Sequence, residues 1–155
     1  MIRSIHHLAI RVRDFDRMLE FYQEAFGFEI VGEEFKPGGV ETAATGNVPR
    51  LVMMRTGNCF LEIIQCNASG PNSNESLNAG AYVHFSVEVT EIEKEYARLK
   101  GLGVVFRHPA PIDFGLVKSV TGRDPEGNGI EIQQSAVEYD CNLDELRTLA
   151  SEEDA

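Results

Sequence analysis

Four residues carry most of the chemical information in this chain. They are His7, Glu62, His84 and Glu131, in the order His, Glu, His, Glu. His7 opens the segment HLAIRV and His84 opens HFSVEV, while Glu62 lies within FLEIIQ and Glu131 within GIEIQQ. Leu61 and Ile63 flank the first glutamate, and Ile130 and Ile132 flank the second. In an extended strand these apolar neighbours must point away from the carboxylate. An ionised carboxylate in such a setting is costly unless a cation or several donors satisfy it. A divalent metal ion supplies that compensation and takes both imidazoles in their neutral form. Taken singly, each histidine reads as a hydrogen-bonded strand-end residue and each glutamate as an edge charge reaching water. Their recurrence at matching points of an internal repeat favours one shared metal site with pseudo-twofold symmetry.

The surrounding residues sort by strand parity. His6 is the rival of His7 as a ligand, but alternation places it with Leu8, Ile10 and Val12 on the side that packs under a helix. His108, next to Pro109, reads as a loop residue. Arg11 shares the face of His7, and Glu88 stands at the equivalent point after His84. Arg11 is therefore a candidate clamp for a substrate carboxylate, with an Arg11–Glu88 ion pair as the competing reading. Lys118 and Arg123 are further cations able to meet an anion, and otherwise surface charge. Cys59 and Cys66 flank one strand and read as buried thiols rather than nucleophiles.

The elements that must position these residues occur twice. IHHLAIRV is a strand, and Asp14 caps a helix whose apolar stripe is Phe15, Met18, Leu19, Tyr22, Ala25 and Phe26, stopped at Gly27. FEIVGEEF, LVMMRT and CFLEIIQC read as three strands, with a loop over KPGGVETAATGNVP and a turn at Gly57-Asn58. The pattern restarts with AYVHFSVEV. A helix follows, opened by a capping box of Thr90 and Glu93 and running to about Gly101 with Ile92, Tyr96 and Leu99 inward. VVFRH, LVKSVTG and GIEIQQ are the later strands, with HPAPIDFG a loop and RDPEGNG a turn. Val83, Phe85, Val87 and Val89 are expected to share the helix side. The organisation expected is a βαβββ module over 1–66, a linker over 67–80, a second βαβββ module over 81–135 and an acidic tail over 136–155 with a short helix in NLDELRTLA. Each module is too small to bury its sheet alone, so the two are expected to share a core.

Composition narrows the function classes. The 155 residues are 43% hydrophobic with a net charge of −11. That balance opposes nucleic-acid binding, which needs a basic surface, but leaves room for a small anionic substrate met by local positive charge. Much of the acidity is terminal, with seven acids over 138–155 against Arg147. Three cysteines, no apolar run of membrane-spanning length and no signal-like start point to a soluble protein of the reducing cytoplasm.

These motifs together resemble the vicinal oxygen chelate superfamily, which includes glyoxalase I, methylmalonyl-CoA epimerase, extradiol dioxygenases, and bleomycin- and fosfomycin-resistance proteins. HLAIRVRDFDRMLEFYQEAFGF is similar to its first-module opening, VHFSVEVTEIEKEYARLKGLGV to its second, and DPEGNGIEI to its closing turn and strand; the resemblance spans about residues 3–135. It implies an α+β fold in which paired βαβββ modules form an open, barrel-like mixed sheet, helices outside and a metal cleft inside. It implies His7, Glu62, His84 and Glu131 as ligands of one divalent ion: nickel, zinc, cobalt or manganese, or iron in a dioxygenase. The full two-His, two-Glu set most resembles bacterial glyoxalase I, and Arg11 matches the arginine that meets the glutathione carboxylate there. The chain departs from that enzyme at Cys66, where an asparagine is usual, and in the loops at 36–50 and 110–115. The activity implied is a lyase or isomerase that removes a proton next to a carbonyl through a metal-bound enediolate, with Glu131 or Glu62 as base. Alternatives are an acyl-CoA-type epimerase, a dioxygenase using His7, His84 and Glu131, and a non-catalytic drug-binding module. A homodimer is implied as well, with modules paired within one chain or across two.

Overall fold

The structure, a computed structural model, describes residues 5–35, 50–57, 59–66 and 82–136. The loop expected over 36–49, Asn58, the linker over 67–80, Cys141 and the tail helix lie outside these residues. The chain divides into two compact units, Met1–Asn72 and Ser73–Ala155. Among the described residues, no helix is long and apolar enough to cross a membrane.

The first unit runs β1 (His7–Val12), α1 (Phe15–Phe26), β2 (Glu29–Phe35), β3 (Leu51–Arg55) and β4 (Phe60–Gln65). Its sheet has the order β1-β4-β3-β2, with β1 parallel to β4 and the other pairs antiparallel. The second unit runs β5 (Phe85–Glu88), α2 (Ile92–Gly101), β6 (Val105–Phe106), β7 (Ile112–Asp113), β8 (Val117–Arg123) and β9 (Gly129–Ser135). Its order is β5-β9-β8-β6, again with a parallel β5–β9 pair, and β7 pairs with β8. The α+β class and the mixed sheets agree with expectation. In each unit the first strand lies at a sheet edge beside the last, because the helix is the crossover that a parallel pair requires.

Helix α1 forms where its stripe predicts. Asp14 accepts a 3.4 Å hydrogen bond from the Arg17 amide, and Gly27 takes the left-handed conformation (φ 66°) that ends the helix. Phe15, Met18, Leu19, Tyr22 and Ala25 are buried as expected. Phe21 joins them and Phe26 is only half-buried, because Phe21, Tyr22, Phe26 and Phe28 form one aromatic cluster at the helix end. The buried face packs against β4, in which Leu61 and Ile63 are buried. Burying side chains of this size contributes roughly 1.5–3 kcal/mol each.

Four expectations need correction in the second unit. The capping box does not form: Glu91 is the N-cap and makes no side-chain cap bond. Instead Gln134 in β9 accepts from the Ile92 amide at 2.9 Å, so the helix start is tied directly to the strand it covers. HPAPIDFG is not wholly loop. Ile112 and Asp113 pair with Ser119 and Lys118, in a hairpin closed by Phe114 N–H to the Val117 carbonyl and Gly115 N–H to Asp113 Oδ1; Gly115 supplies the positive φ of 89°. Tyr96, expected inward with Ile92 and Leu99, is only half-buried; its ring stacks on Phe106 at 4.5 Å and its hydroxyl donates to the His108 carbonyl. Val83 is 59% exposed rather than under the helix, since β5 begins only at Phe85.

The cap makes a direct test. Gln134→Ala should cost about 1 kcal/mol, the usual value of a lost N-cap bond, lowering Tm by roughly 2–4 °C. Thr90→Ala should leave stability within about 0.5 kcal/mol of wild type. Thermal melts followed by circular dichroism give the comparison; the reverse ranking would reinstate the capping box.

Candidate metal centre

The register of each parallel pair places a histidine beside a glutamate. In the first unit Glu62 pairs with Ala9 of β1, and in the second Glu131 pairs with Ser86 of β5. Each histidine stands two residues before that partner, so His7 and His84 are equivalent in register as well as in sequence. On β4, Leu61 and Ile63 are buried toward α1; on β9, Ile130 and Ile132 are buried in the same way. Alternation therefore turns both carboxylates to the opposite face of their sheets.

The side chains meet there. His7 Nε2 lies 3.8 Å from Glu62 Oε2, with the side chains 41% and 20% exposed. His84 Nε2 lies 3.4 Å from Glu131 Oε2, with 33% and 17% exposed. Both separations exceed a well-formed N–H···O hydrogen bond. They suit two donors of one cation better. Ligand atoms about 2.1 Å from a metal stand roughly 3.0–3.4 Å apart at octahedral to tetrahedral angles. The second pair fits as it stands and the first is a few tenths of an ångström wider. Among the described residues no group of three or more His, Cys, Asp or Glu is gathered, so the candidate ligands come as two like pairs, one per unit.

The other candidate residues separate. Arg11 is exposed on the His7 side of β1 and pairs in register with Ile64. Glu88 accepts from Gln133 Nε2 at 2.9 Å and from the Ser135 amide at 2.8 Å, which ties the edge strand β5 to the end of β9. Lys118 is held 3.0 Å from Glu93. That hydrogen bond keeps the Glu93 carboxyl below its ordinary range and the Lys118 ammonium above its own. Arg123 donates to the Gly127 carbonyl at 2.6 Å within the β8–β9 turn. His108 is an exposed loop residue as expected. Cys59 and Cys66 are free and only half-buried, and Thr56 Oγ1 lies 3.4 Å from Cys59 Sγ. His6 is not on the helix side. Its ring tilts against Phe60 and its Nδ1 lies 3.0 Å from His7 Nδ1, because β1 begins at His7 and strand alternation does not bind the residue before it.

Two features of the second unit escaped sequence reasoning. The turn before β9 is built on buried Asp124 and Asn128. Asp124 Oδ1 accepts from the Glu126 and Asn128 amides and Oδ2 from Asn128 Nδ2, all at 2.8–2.9 Å. The sequence DPEGNG signals a turn but not this closed network, which sets the start of β9 and hence the place of Glu131. The second is Gly129. A β-carbon there would lie 1.8 Å from the Val83 carbonyl oxygen and 3.2 Å from the His84 α-carbon. Gly129 shares the face of Glu131, so the chain leading to His84 rides over β9 at the one position that has no side chain.

With this geometry established, the comparisons identify the family. Residues 4–132 match the model of the Glyoxalase/Bleomycin resistance protein/Dioxygenase superfamily, and the chain belongs to it. It is 30% identical over 135 residues to a lactoylglutathione lyase of Arabidopsis thaliana, covering 85% of this chain but 44% of the plant protein, so it spans less than half the length of that relative. It is 27% identical to a probable lactoylglutathione lyase of Synechocystis, over 86% of this chain and 97% of that one. A glyoxalase family protein of Bacillus cereus shares the fold with a TM-score of 0.71 at 19% identity, over 87% and 95% of the two chains.

Gly129→Ala should force the Val83–His84 backbone off β9 at a cost of about 1–3 kcal/mol and shift the His84 ring resonances. Gly101→Ala, where an added β-carbon meets nothing within 4 Å at the end of α2, should be neutral or stabilising by up to about 1 kcal/mol. Equal melting temperatures and an unmoved His84 signal in Gly129→Ala would contradict the close approach.

Proposed function

We propose that this chain is a metal-dependent lyase or isomerase of the glyoxalase type, and that His7, Glu62, His84 and Glu131 together hold one divalent cation. The observation that carries this is the recurrence of one His–Glu pair at the same register in both units. Two carboxylates balance the charge of a dication, and two neutral imidazoles complete a nitrogen and oxygen set suited to nickel, cobalt, manganese or zinc. When bound, such an ion supplies Lewis acidity that stabilises negative charge developing on substrate oxygens.

The substrate class we assign is an α-keto aldehyde–thiol adduct, in keeping with relatives named lactoylglutathione lyase. Its isomerisation to a 2-hydroxyacyl thioester moves one proton from the carbon bearing hydroxyl and sulfur to the neighbouring carbonyl carbon. The hydroxyl proton passes to the neighbouring oxygen. We assign to Glu131 or Glu62 the role of the base that takes and returns the carbon-bound proton; the burial of the apolar residues on either side of each carboxylate supports this reading. Arg11, on the His7 side of β1, offers a guanidinium to a carboxylate on the thiol moiety.

Metal titration and steady-state assays test this together. Metal-free protein should be inactive on a glutathione–α-keto aldehyde adduct, and activity should return with one divalent ion per set of four residues. At about 100 times Kd the ion should raise stability by roughly 2.7 kcal/mol. His7→Ala, Glu62→Gln, His84→Ala and Glu131→Gln should each weaken that stabilisation, whereas Arg11→Ala should retain it and raise KM more than it lowers kcat. Full turnover by metal-free protein would overturn the assignment, and tight binding of a drug with no metal and no turnover would favour a sequestering module.

A further inference from the structure

His6 is the one imidazole next to the candidate centre that the proposed ligand set leaves unused. Its Nδ1 stands 3.0 Å from the Nδ1 of His7, while the other nitrogen of His7, Nε2, is the one that faces Glu62. A hydrogen bond between two Nδ1 atoms requires one to carry the proton and the other the lone pair. We propose that His6 is a positioning residue for His7: it accepts from His7 Nδ1–H and thereby leaves the lone pair of His7 on Nε2, toward Glu62. The inference rests on the reading of His7 as a metal ligand.

The chemistry of the two rings is self-consistent. A free imidazole favours the proton on Nε2, the wrong form for coordination through that atom. His6 in that ordinary form has its lone pair on Nδ1, where His7 needs an acceptor, and its own Nε2–H remains available to water on an exposed ring. The ring is steadied by Phe60, with centroids 5.2 Å apart. Metal-bound histidines commonly hold their second nitrogen against such an acceptor, which fixes both tautomer and ring orientation. Among its described residues the second unit lacks this device. The position matching His6 is Val83, and the position matching Phe60 is Gly129, where the backbone itself closes on the strand. The two like pairs are thus held by unlike means: a ring partner at His7 and a backbone approach at His84.

The test uses the full chain, metal-free, at about pH 8, where an ordinary imidazole is neutral. Long-range proton–nitrogen NMR should find His7 with its proton on Nδ1 in the wild type and moved toward Nε2 in His6→Phe, which keeps a ring against Phe60 but offers no acceptor. His6→Asn, whose Oδ1 can accept, should keep the wild-type form. Titration with zinc(II) alone should show a Kd raised about 10–100-fold in His6→Phe and largely restored in His6→Asn. An unchanged His7 tautomer in His6→Phe overturns the proposal. A tautomer shift in a protein that binds no zinc upholds the positioning role and instead sinks the metal reading on which it was built.

Discussion

Everything in each unit depends on one parallel strand pairing: β1 with β4, and β5 with β9. That pairing brings the head of the first strand to the middle of the last, and a histidine to a glutamate. The glutamate cannot turn away, because its two neighbours along the strand are buried under the helix. Rotating either strand to hide the carboxylate would expose two fully or nearly fully buried aliphatic side chains, at roughly 1.5–3 kcal/mol each. Core packing thus enforces the polar juxtaposition on the opposite face. This is how an otherwise unfavourable half-buried carboxylate can be sustained beside an imidazole that it does not hydrogen-bond.

Other features serve the same pairing. The helix is the crossover that permits parallel strands, and its ends are fixed: by Gly27 in the first unit, by Gln134 reaching from β9 in the second. Glu88 fastens the far end of β5 to Gln133 and Ser135. The Asp124–Asn128 network fastens the near end of β9. The second unit is therefore locked at both ends of its parallel pair, and Gly129 allows the chain before His84 to approach closely enough to use that lock.

Much of this was legible in the sequence because it is local and periodic. The stripe of α1, the alternation around Glu62 and Glu131, and the repeat order of the four candidate ligands follow from spacing alone. What escaped is non-local or depends on a missing atom. Nothing near Thr90 and Glu93 reveals that Gln134, far along the chain, accepts from the helix start instead. The short strand β7 hides between prolines and a glycine that suggest only a loop. Strand parity misassigned His6 and Val83 for one reason: both precede the first paired residue, where alternation no longer governs. Gly129 looked like turn composition, yet its value lies in the absence of a β-carbon against a backbone that the sequence does not show to be near.

We propose that both His–Glu pairs serve the same ion. X-ray absorption spectroscopy on protein loaded with a single equivalent of nickel or zinc measures this most directly. Scattering from two imidazole rings on each metal is expected, falling to one ring in His84→Ala and likewise in His7→Ala. A single imidazole per metal in the wild type, or two equivalents of metal bound per set of four residues, would contradict it.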